Sequence, residues 1–172
     1  METTHNKLSE DVTVFFTELS KYINTPLFFY GSVQRSDYFP GSSDIDVDIF
    51  TDNQHSLITK LHHFLQIDKR KFKKFVWRIH NKVVIGYKVM YKNPDKNIAV
   101  EFSIYNEKDK DVILEEHRSK IVLPFYVSIL LIILKFMHYK LRMLNKDTFK
   151  NSKRIMLSTL MNLPYDDFYI LE

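Results

Sequence analysis

The chain has 172 residues, of which 45% are hydrophobic and 27% charged, and its formal net charge is +4. This composition is typical of a globular protein with a single core and is too apolar for intrinsic disorder. The sequence contains no cysteine, so disulfide bridges and thiolate zinc sites are excluded.

The N-terminal residues 1–7 lack the apolar core of a signal peptide, so we expect an intracellular, cytoplasmic protein. Few glycines together with many Lys, Ile, Asn, Phe and Tyr residues are typical of an AT-rich gene, from a low-GC bacterium or a large DNA virus. In the viral case the expected location is the host cytoplasm.

The periodicity of the apolar residues predicts helices and strands in a definite order. The first part of the chain is predicted to contain a helix at 7–23, strands at 27–30 and 45–50, a helix after 51–53 that ends near 66, and strands at 75–80, 83–91 and 98–105. Helical patterns follow at 109–118, 123–144 and 147–163. The last two helices are predicted to form a hairpin, and the aromatic C-terminal tail is predicted to fray.

The apolar run at 121–134 is too short for a membrane span, which needs about 20 residues. Pro124 lies in its first turn, where a helix tolerates proline. We therefore predict a buried helix at this point and no membrane association.

A glycine–serine turn and a row of carboxylates carry the chemical information in this sequence. Gly31 and Ser32 follow an apolar strand, and glycine lets backbone amides and a hydroxyl approach phosphate oxygens. About a dozen residues later, Asp44, Asp46 and Asp48 alternate with apolar residues and therefore share one face of a strand. Carboxylates that repel one another in this way are commonly neutralised by Mg²⁺ in phosphoryl and nucleotidyl transfer.

The register of the acid row has two readings. Asp44 with Asp46 and Asp46 with Asp48 both fit an acid–apolar–acid–apolar pattern. We prefer the first pair, because it is closer to the turn at 40–43. A strand with one solvated face is the alternative that needs no metal.

This segment resembles the nucleotidyltransferase superfamily, which includes DNA polymerase beta, poly(A) polymerases and small bacterial antibiotic and protein nucleotidyltransferases. The resemblance rests on Gly31-Ser32, on the run 43–47 that contains both aspartates, and on Glu101 between Val100 and Phe102. It implies that Asp44, Asp46 and Glu101 are catalytic and hold two Mg²⁺ or Mn²⁺ ions. A glutamate stands where an aspartate is more common.

The resemblance also implies further roles. The triphosphate of a nucleoside triphosphate would contact Gly31, Ser32 and Ser43, with Lys153 or Arg154 as an additional candidate. From its position three residues beyond Ser32, Arg35 is a further candidate for a phosphate contact. Arg35 has a second reading, as a surface partner of Asp37.

The fold class expected from these observations is α+β. A small mixed β-sheet nucleotidyltransferase core with helices on one side would occupy residues 1–106. The C-terminal helical extension, residues 107–172, would end in the helical hairpin and pack on the core as one compact unit. An exposed sheet edge and the apolar hairpin permit a homodimer.

A basic run precedes and enters the strand at 75–80. Its candidate nucleic-acid contacts are Lys71, Lys73, Lys74 and Arg78, and Phe72 or Trp77 could stack on bases. The same run could also be a solvated surface.

Three functions follow from these alternatives. The first is transfer of a nucleoside monophosphate to an RNA or DNA 3′ end, as in a terminal transferase or a polymerase. The second is adenylylation of a protein or small molecule. The third is an inactive relic that binds nucleotides or a partner, which the presence of all three acids disfavours.

Overall fold

The computed structural model describes residues 3–79, 81–161 and 167–171. Its helices are α1 (Glu10–Ile23), α2 (Gln54–Leu65), α3 (Lys110–Ser119), α4 (Phe125–Tyr139) and α5 (Lys146–Met161). Its strands are β1 (Phe28–Tyr30), β2 (Ile45–Phe50), β3 (Lys73–Ile79), β4 (Lys82–Asn93), β5 (Ile98–Tyr105) and β6 (Asp167–Leu171).

The six strands form one mixed sheet in the order β1-β2-β5-β4-β3-β6. β2 and β5 are parallel, and the other neighbouring pairs are antiparallel. The parallel pair is central to the fold because β2 carries the aspartate row and β5 carries Glu101.

Helices α1 and α2 cover one face of the sheet and form the main core with it. Phe16 and Leu19 of α1 and Leu61 of α2 are fully buried there, together with Val47 of β2 and Phe102 of β5. The alternation of β2 and β5 sends their apolar residues into this core, so their carboxylates point to the opposite face.

Helix α3 packs on that opposite face, over the strands β2, β3 and β5. Its Ile113 is fully buried and belongs to a second apolar cluster with Phe50, Phe75, Trp77 and Tyr105. The α+β class with a mixed sheet is confirmed, with the core helices α1 and α2 on one side of the sheet and α3, from the C-terminal extension, on the other. Periodicity located α3 correctly, but an apolar helix face does not say which side of a sheet it will cover.

Helices α4 and α5 contact each other as the predicted hairpin. The rings of His138 and Phe149 stack across it with their centroids 4.3 Å apart. Helix α4 ends at Tyr139, earlier than residue 144, and Arg142 beyond it has a positive φ of 53°. Only Val127, Leu131 and Lys135 of α4 are buried, so the expectation of a buried helix is wrong.

The C-terminal tail contains a strand, contrary to the frayed tail predicted from the sequence. β6 pairs antiparallel with β3, with Phe168 opposite Trp77 and Ile170 opposite Phe75. Without β6, the backbone N–H and C=O groups on the outer side of β3 would be unpaired. β6 provides their hydrogen-bond partners. The C-terminal segment thus contributes a strand to the sheet as well as helices.

In the part of the chain that the structure describes, no helix has both the length and the apolar character needed to cross a bilayer.

Truncation of Ile113 tests whether α3 is held to the sheet by its apolar contact. Ile113→Ala is expected to lower the free energy of unfolding by about 2–4 kcal/mol, because the side chain is fully buried and its removal leaves a cavity. Ile155→Ala, at a position on α5 that is 57% exposed, is the matched control and is expected to change it by less than about 0.5 kcal/mol. Urea denaturation followed by circular dichroism measures both; equal losses would contradict this packing.

Candidate active site

The glycine–serine turn lies directly against the aspartate row. β1 runs into a 3₁₀ turn, Gly31–Gln34, and Gly31 has a φ of +69°. A Cβ atom at Gly31 would overlap Asp46 Oδ2. Two independent constraints therefore require glycine here, a left-handed backbone and the close approach of a carboxylate.

Asp46 and Glu101 lie side by side on adjacent strands. Their Cα atoms are direct partners in the parallel register of β2 with β5. Asp44 precedes β2 and is exposed, whereas Asp46 is half-buried. The structure thus brings the three predicted acids to one end of the β2–β5 pair.

The electrostatics of Asp46 reflect this crowding. Burial raises the pKa of Asp46 to about 7; the positive charge of Lys153 opposes the shift, and the negative charges of Glu101, Asp44 and Asp48 add to it. A carboxylate in such surroundings is stabilised by any cation that comes close.

The donor set fits a hard divalent cation, because carboxylate oxygens are the ligands that Mg²⁺ and Mn²⁺ prefer. Asp46, the most crowded of the three acids, has the raised pKa that a bound cation would relieve. Among the described residues, however, no three acidic or histidine side chains are already close enough together to hold one ion. Ligation by all three acids therefore needs side-chain rearrangement.

Asp48 has surroundings different from those of Asp44. It is fully buried, its Oδ2 atom lies 2.8 Å from His117 Nε2 of α3, and its Cα partner is Ser103. Burial raises the pKa of Asp48, and the contact with His117 opposes that shift. This partnership favours the register in which Asp44 and Asp46 are the ligands.

A buried ion network holds the loop between the turn and the acids. Lys135 Nζ of α4 lies 2.9 Å from Asp37 Oδ2 and donates to the Asp37 carbonyl oxygen at 2.7 Å. Arg35 Nε donates to Asp37 Oδ1 at 2.8 Å. The Asp37 side chain is 0% and the Arg35 side chain 10% exposed, so this pair is buried and not on the surface.

The pKa values of this network show how its charges balance. Burial raises the pKa of Asp37, but hydrogen bonds and charges from Arg35 and Lys135 outweigh it and lower the value to about 2. Burial lowers the pKa of Lys135 to about 8, although Asp37 opposes that shift. Because the two cations hold Asp37 as a carboxylate, the loop depends on both of them.

The predicted phosphate-binding residues lie around the same point. Ser32 is buried in the 3₁₀ turn, and Ser43 Oγ accepts from the Phe39 amide at 3.2 Å and lies 3.5 Å from Lys135 Nζ. Lys153 of α5 is close enough for its charge to act on Asp46. Arg35 is paired with Asp37, the second of the two roles predicted for it, although the pair is buried.

The candidate nucleic-acid contacts separate onto different parts of the surface. Trp77 of β3 faces the acid side of the sheet, so Lys73 faces that side, whereas Lys74 and Arg78 face the other. Lys71 lies in the turn before β3 and is exposed. The basic run therefore does not form one patch beside the acids.

A cavity of about 260 Å³ opens beside Glu101 on the acid face of the sheet. Its walls include the rings of Tyr30, Trp77, Tyr105 and His117, which come from β1, β3, β5 and α3. The sequence does not predict this cavity, although it indicates Trp77 as a stacking residue.

Sequence reasoning missed the roles of Lys135, Lys88 and His117. Lys88 Nζ of β4 lies 3.3 Å from Glu101 Oε1 and so pairs with the third acid. The position of Lys135, directly after the apolar run at 121–134 and still inside the predicted helix, was a usable signal, because a charge on an apolar helix face needs a buried partner. Nothing in the sequence pointed to His117 or Lys88.

A sheet in which a glycine–serine turn meets paired carboxylates is the architecture of the nucleotidyltransferase class. Residues 13–122, well over half of the chain, match the family model of the nucleotidyltransferase domain. The chain belongs to this family, which confirms the resemblance drawn from its motif.

A solved structure described as "structure of GLD-2/RNP-8 complex" is similar to the chain with a TM-score of 0.43 and 15% sequence identity. The similarity covers 89% of this chain and 49% of the other, so the chain spans about half of that length. Among curated proteins, none matches the chain.

Replacement of Gly31 by alanine is expected to disturb the position of Asp46. Gly31→Ala would cost about 1–3 kcal/mol of stability for the left-handed backbone, and its Cβ would displace the Asp46 carboxylate, so binding of Mn²⁺ should weaken. Gly41→Ala is the matched control, because Gly41 also has a positive φ, 72°, and its Cβ would overlap the Asn97 side chain instead. Thermal unfolding and Mn²⁺ titration by electron paramagnetic resonance measure the two effects; equal Mn²⁺ affinities in both variants would contradict the role given to Gly31.

Removal of the Lys135 charge tests the buried network. Lys135→Met is expected to destabilise the protein by about 3–5 kcal/mol near neutral pH, because the buried Asp37 carboxylate loses a partner. The pKa of Asp37 is lowered to about 2 and that of Lys135 to about 8 in the folded protein, so this loss should be complete between about pH 4 and pH 7 and should shrink as the pH falls towards 2. Lys150→Met, at an exposed position on α5, is the control. Urea denaturation across this pH range measures the difference, and a loss independent of pH would argue against the charge interaction.

Proposed function

We propose that this protein transfers a nucleoside monophosphate from a nucleoside triphosphate to the 3′ hydroxyl of a nucleic acid. The observation that carries the proposal is the position of Asp46, whose carboxylate lies against the Gly31 turn and whose strand partner is Glu101. The turn that would bind phosphate and the two acids that would bind metal are therefore close together.

The residues of the chain have distinct roles in this proposal. Asp44, Asp46 and Glu101 would hold two Mg²⁺ or Mn²⁺ ions, which supply charge neutralisation of the triphosphate and activation of the acceptor hydroxyl. The amides around Gly31, the Ser32 hydroxyl and Lys153 would orient the β and γ phosphates. Ser43 and Arg35 would position the loop that leads to Asp44.

The reaction is an in-line displacement at the α-phosphorus. The acceptor oxygen forms the new bond to phosphorus, and the bond to the pyrophosphate oxygen breaks with its electron pair leaving on pyrophosphate. Glu101 would take the proton of the acceptor hydroxyl, and Lys88, 3.3 Å from its Oε1 atom, would orient it.

The aromatic and basic side chains on the acid face near Glu101 support a nucleic-acid acceptor. Trp77 and Lys73 of β3 face the acid side of the sheet, and aromatic rings line the cavity there. Stacking rings with nearby cations are typical of surfaces that bind single strands.

The second candidate is adenylylation of a protein or small molecule. The directions of Lys74 and Arg78 favour it, because two of the four basic residues suggested by the sequence point away from the acids.

Label transfer from each α-labelled NTP tests the proposal, with Mg²⁺ or Mn²⁺ and with oligo-RNA, oligo-DNA or cell extract as acceptor. Asp46→Asn and Glu101→Gln should each lower the rate by more than about 100-fold, since loss of even an outer-shell partner of a metal site costs 10- to 100-fold. Asp52→Asn, an exposed acid just after β2, is the matched control and should retain activity.

The acceptor that becomes labelled distinguishes the candidates. Label on an oligonucleotide supports the proposal, and label only on protein or small molecules favours adenylylation. Absence of both transfer and metal-dependent NTP binding would leave a fold that binds a partner without catalysis.

A further inference from the structure

The cavity beside Glu101 is built mainly from aromatic rings that are already fixed. The Tyr30 and His117 rings stack with centroids 4.0 Å apart, and His117 lies 5.6 Å from Trp77. Trp77 and Tyr105 are 5% and 3% exposed, so neither ring has room to rotate freely. Such walls are suited to a flat, unsaturated ligand, because stacking requires rings that hold their orientation.

The polar groups of the cavity lie at defined points of these walls. Ser103 is buried beside two phenols: the Tyr30 hydroxyl lies 3.4 Å from Ser103 Oγ, and Tyr105 lies two residues further along the same face of β5. These hydroxyls can exchange hydrogen bonds with the edge of a heterocycle without adding charge.

Two cations also border the cavity. Lys120, directly after α3, has its Nζ atom 5.5 Å from the centre of the Trp77 ring, and Arg35 lines the side next to Gly31. Glu101 is the one acid that lines the cavity within the described residues. Each of these cations has a carboxylate partner, Glu116 for Lys120 at 3.0 Å and Asp37 for Arg35 at 2.8 Å, so a phosphate bound here would share them.

The volume limits the size of the ligand. About 260 Å³ is slightly below the usual 300–1,000 Å³ range of small-molecule pockets, so it suits one base with its sugar. A folded protein surface cannot enter a space of this size, and a longer strand could insert only one residue.

We propose that this cavity holds the terminal nucleoside of the acceptor strand, with its base among the Tyr30, Trp77 and Tyr105 rings, its phosphate towards Lys120 and its 3′ hydroxyl towards Glu101. This inference rests on the proposed function and adds to it the part of the acceptor that is recognised. The incoming triphosphate would occupy the opposite side, between the Gly31 turn and Lys153.

Trp77 provides a direct readout because it is the only tryptophan of the chain. A single-stranded oligoribonucleotide is titrated into the protein in EDTA without NTP, and tryptophan fluorescence is recorded. Saturable quenching is expected, since a base stacked near the indole alters its emission. A circular oligomer of the same sequence has no 3′ end and should quench at least about tenfold more weakly, given the free energy of base stacking.

Variants locate the quenching in the cavity. Ser103→Leu fills the space beside the two phenols and should weaken binding about tenfold or more, whereas Ser56→Leu, exposed on α2 behind the sheet, should not. Lys120→Met leaves the rings in place and should give weaker binding with a smaller salt dependence. The Lys120→Met variant still tests the inference if Ser103→Leu fails to fold.

Three results would overturn the inference. The first is equal quenching by the linear and circular oligomers. The second is quenching by NTP with metal alone, which would assign the cavity to the incoming base. The third is no quenching by oligomer or NTP in an enzyme that transfers label. Quenching by the linear oligomer in a protein that transfers no label would support the cavity assignment and count against the proposed function alone.

Discussion

The parallel pairing of β2 with β5 is the constraint on which the candidate site depends. Its register places Asp46 opposite Glu101 and Asp48 opposite Ser103. A slip of one residue would turn Glu101 towards the core and Phe102 towards the acid face. The fully buried Val47 and Phe102 prevent that slip, so the apolar core of the other face holds two repelling carboxylates in place.

The buried network around Asp37 connects the helical segment to this sheet. Lys135 reaches from α4 to the loop that joins the glycine–serine turn to the acids. A buried ion pair is a poor source of net stability, because desolvation offsets most of the attraction. Its geometric value is greater here, since it sets the position of α4 and, through the hairpin, brings α5 with Lys153 towards Asp46.

Glu101 separates two regions of unlike chemistry. The Gly31 turn borders both, and on one side Asp44, Asp46 and Lys153 form a charged region suited to phosphates and cations. On the other is the aromatic cavity with Trp77 and Tyr105. A transferase needs this kind of division, because its donor and its acceptor must meet at one atom while being recognised separately.

The sequence by itself determined the α+β class, the order of most elements and the motif that shows the family, because periodicity and a glycine–acid spacing are local properties. It located Gly31, the acid row and Glu101. Only the tertiary structure decided that α3 covers the acid face, that β6 completes the sheet, and that Lys135, Lys88 and His117 have acidic partners. These contacts join residues such as Asp37 and Lys135, 98 positions apart, and no local pattern encodes which distant side chains will satisfy a buried charge.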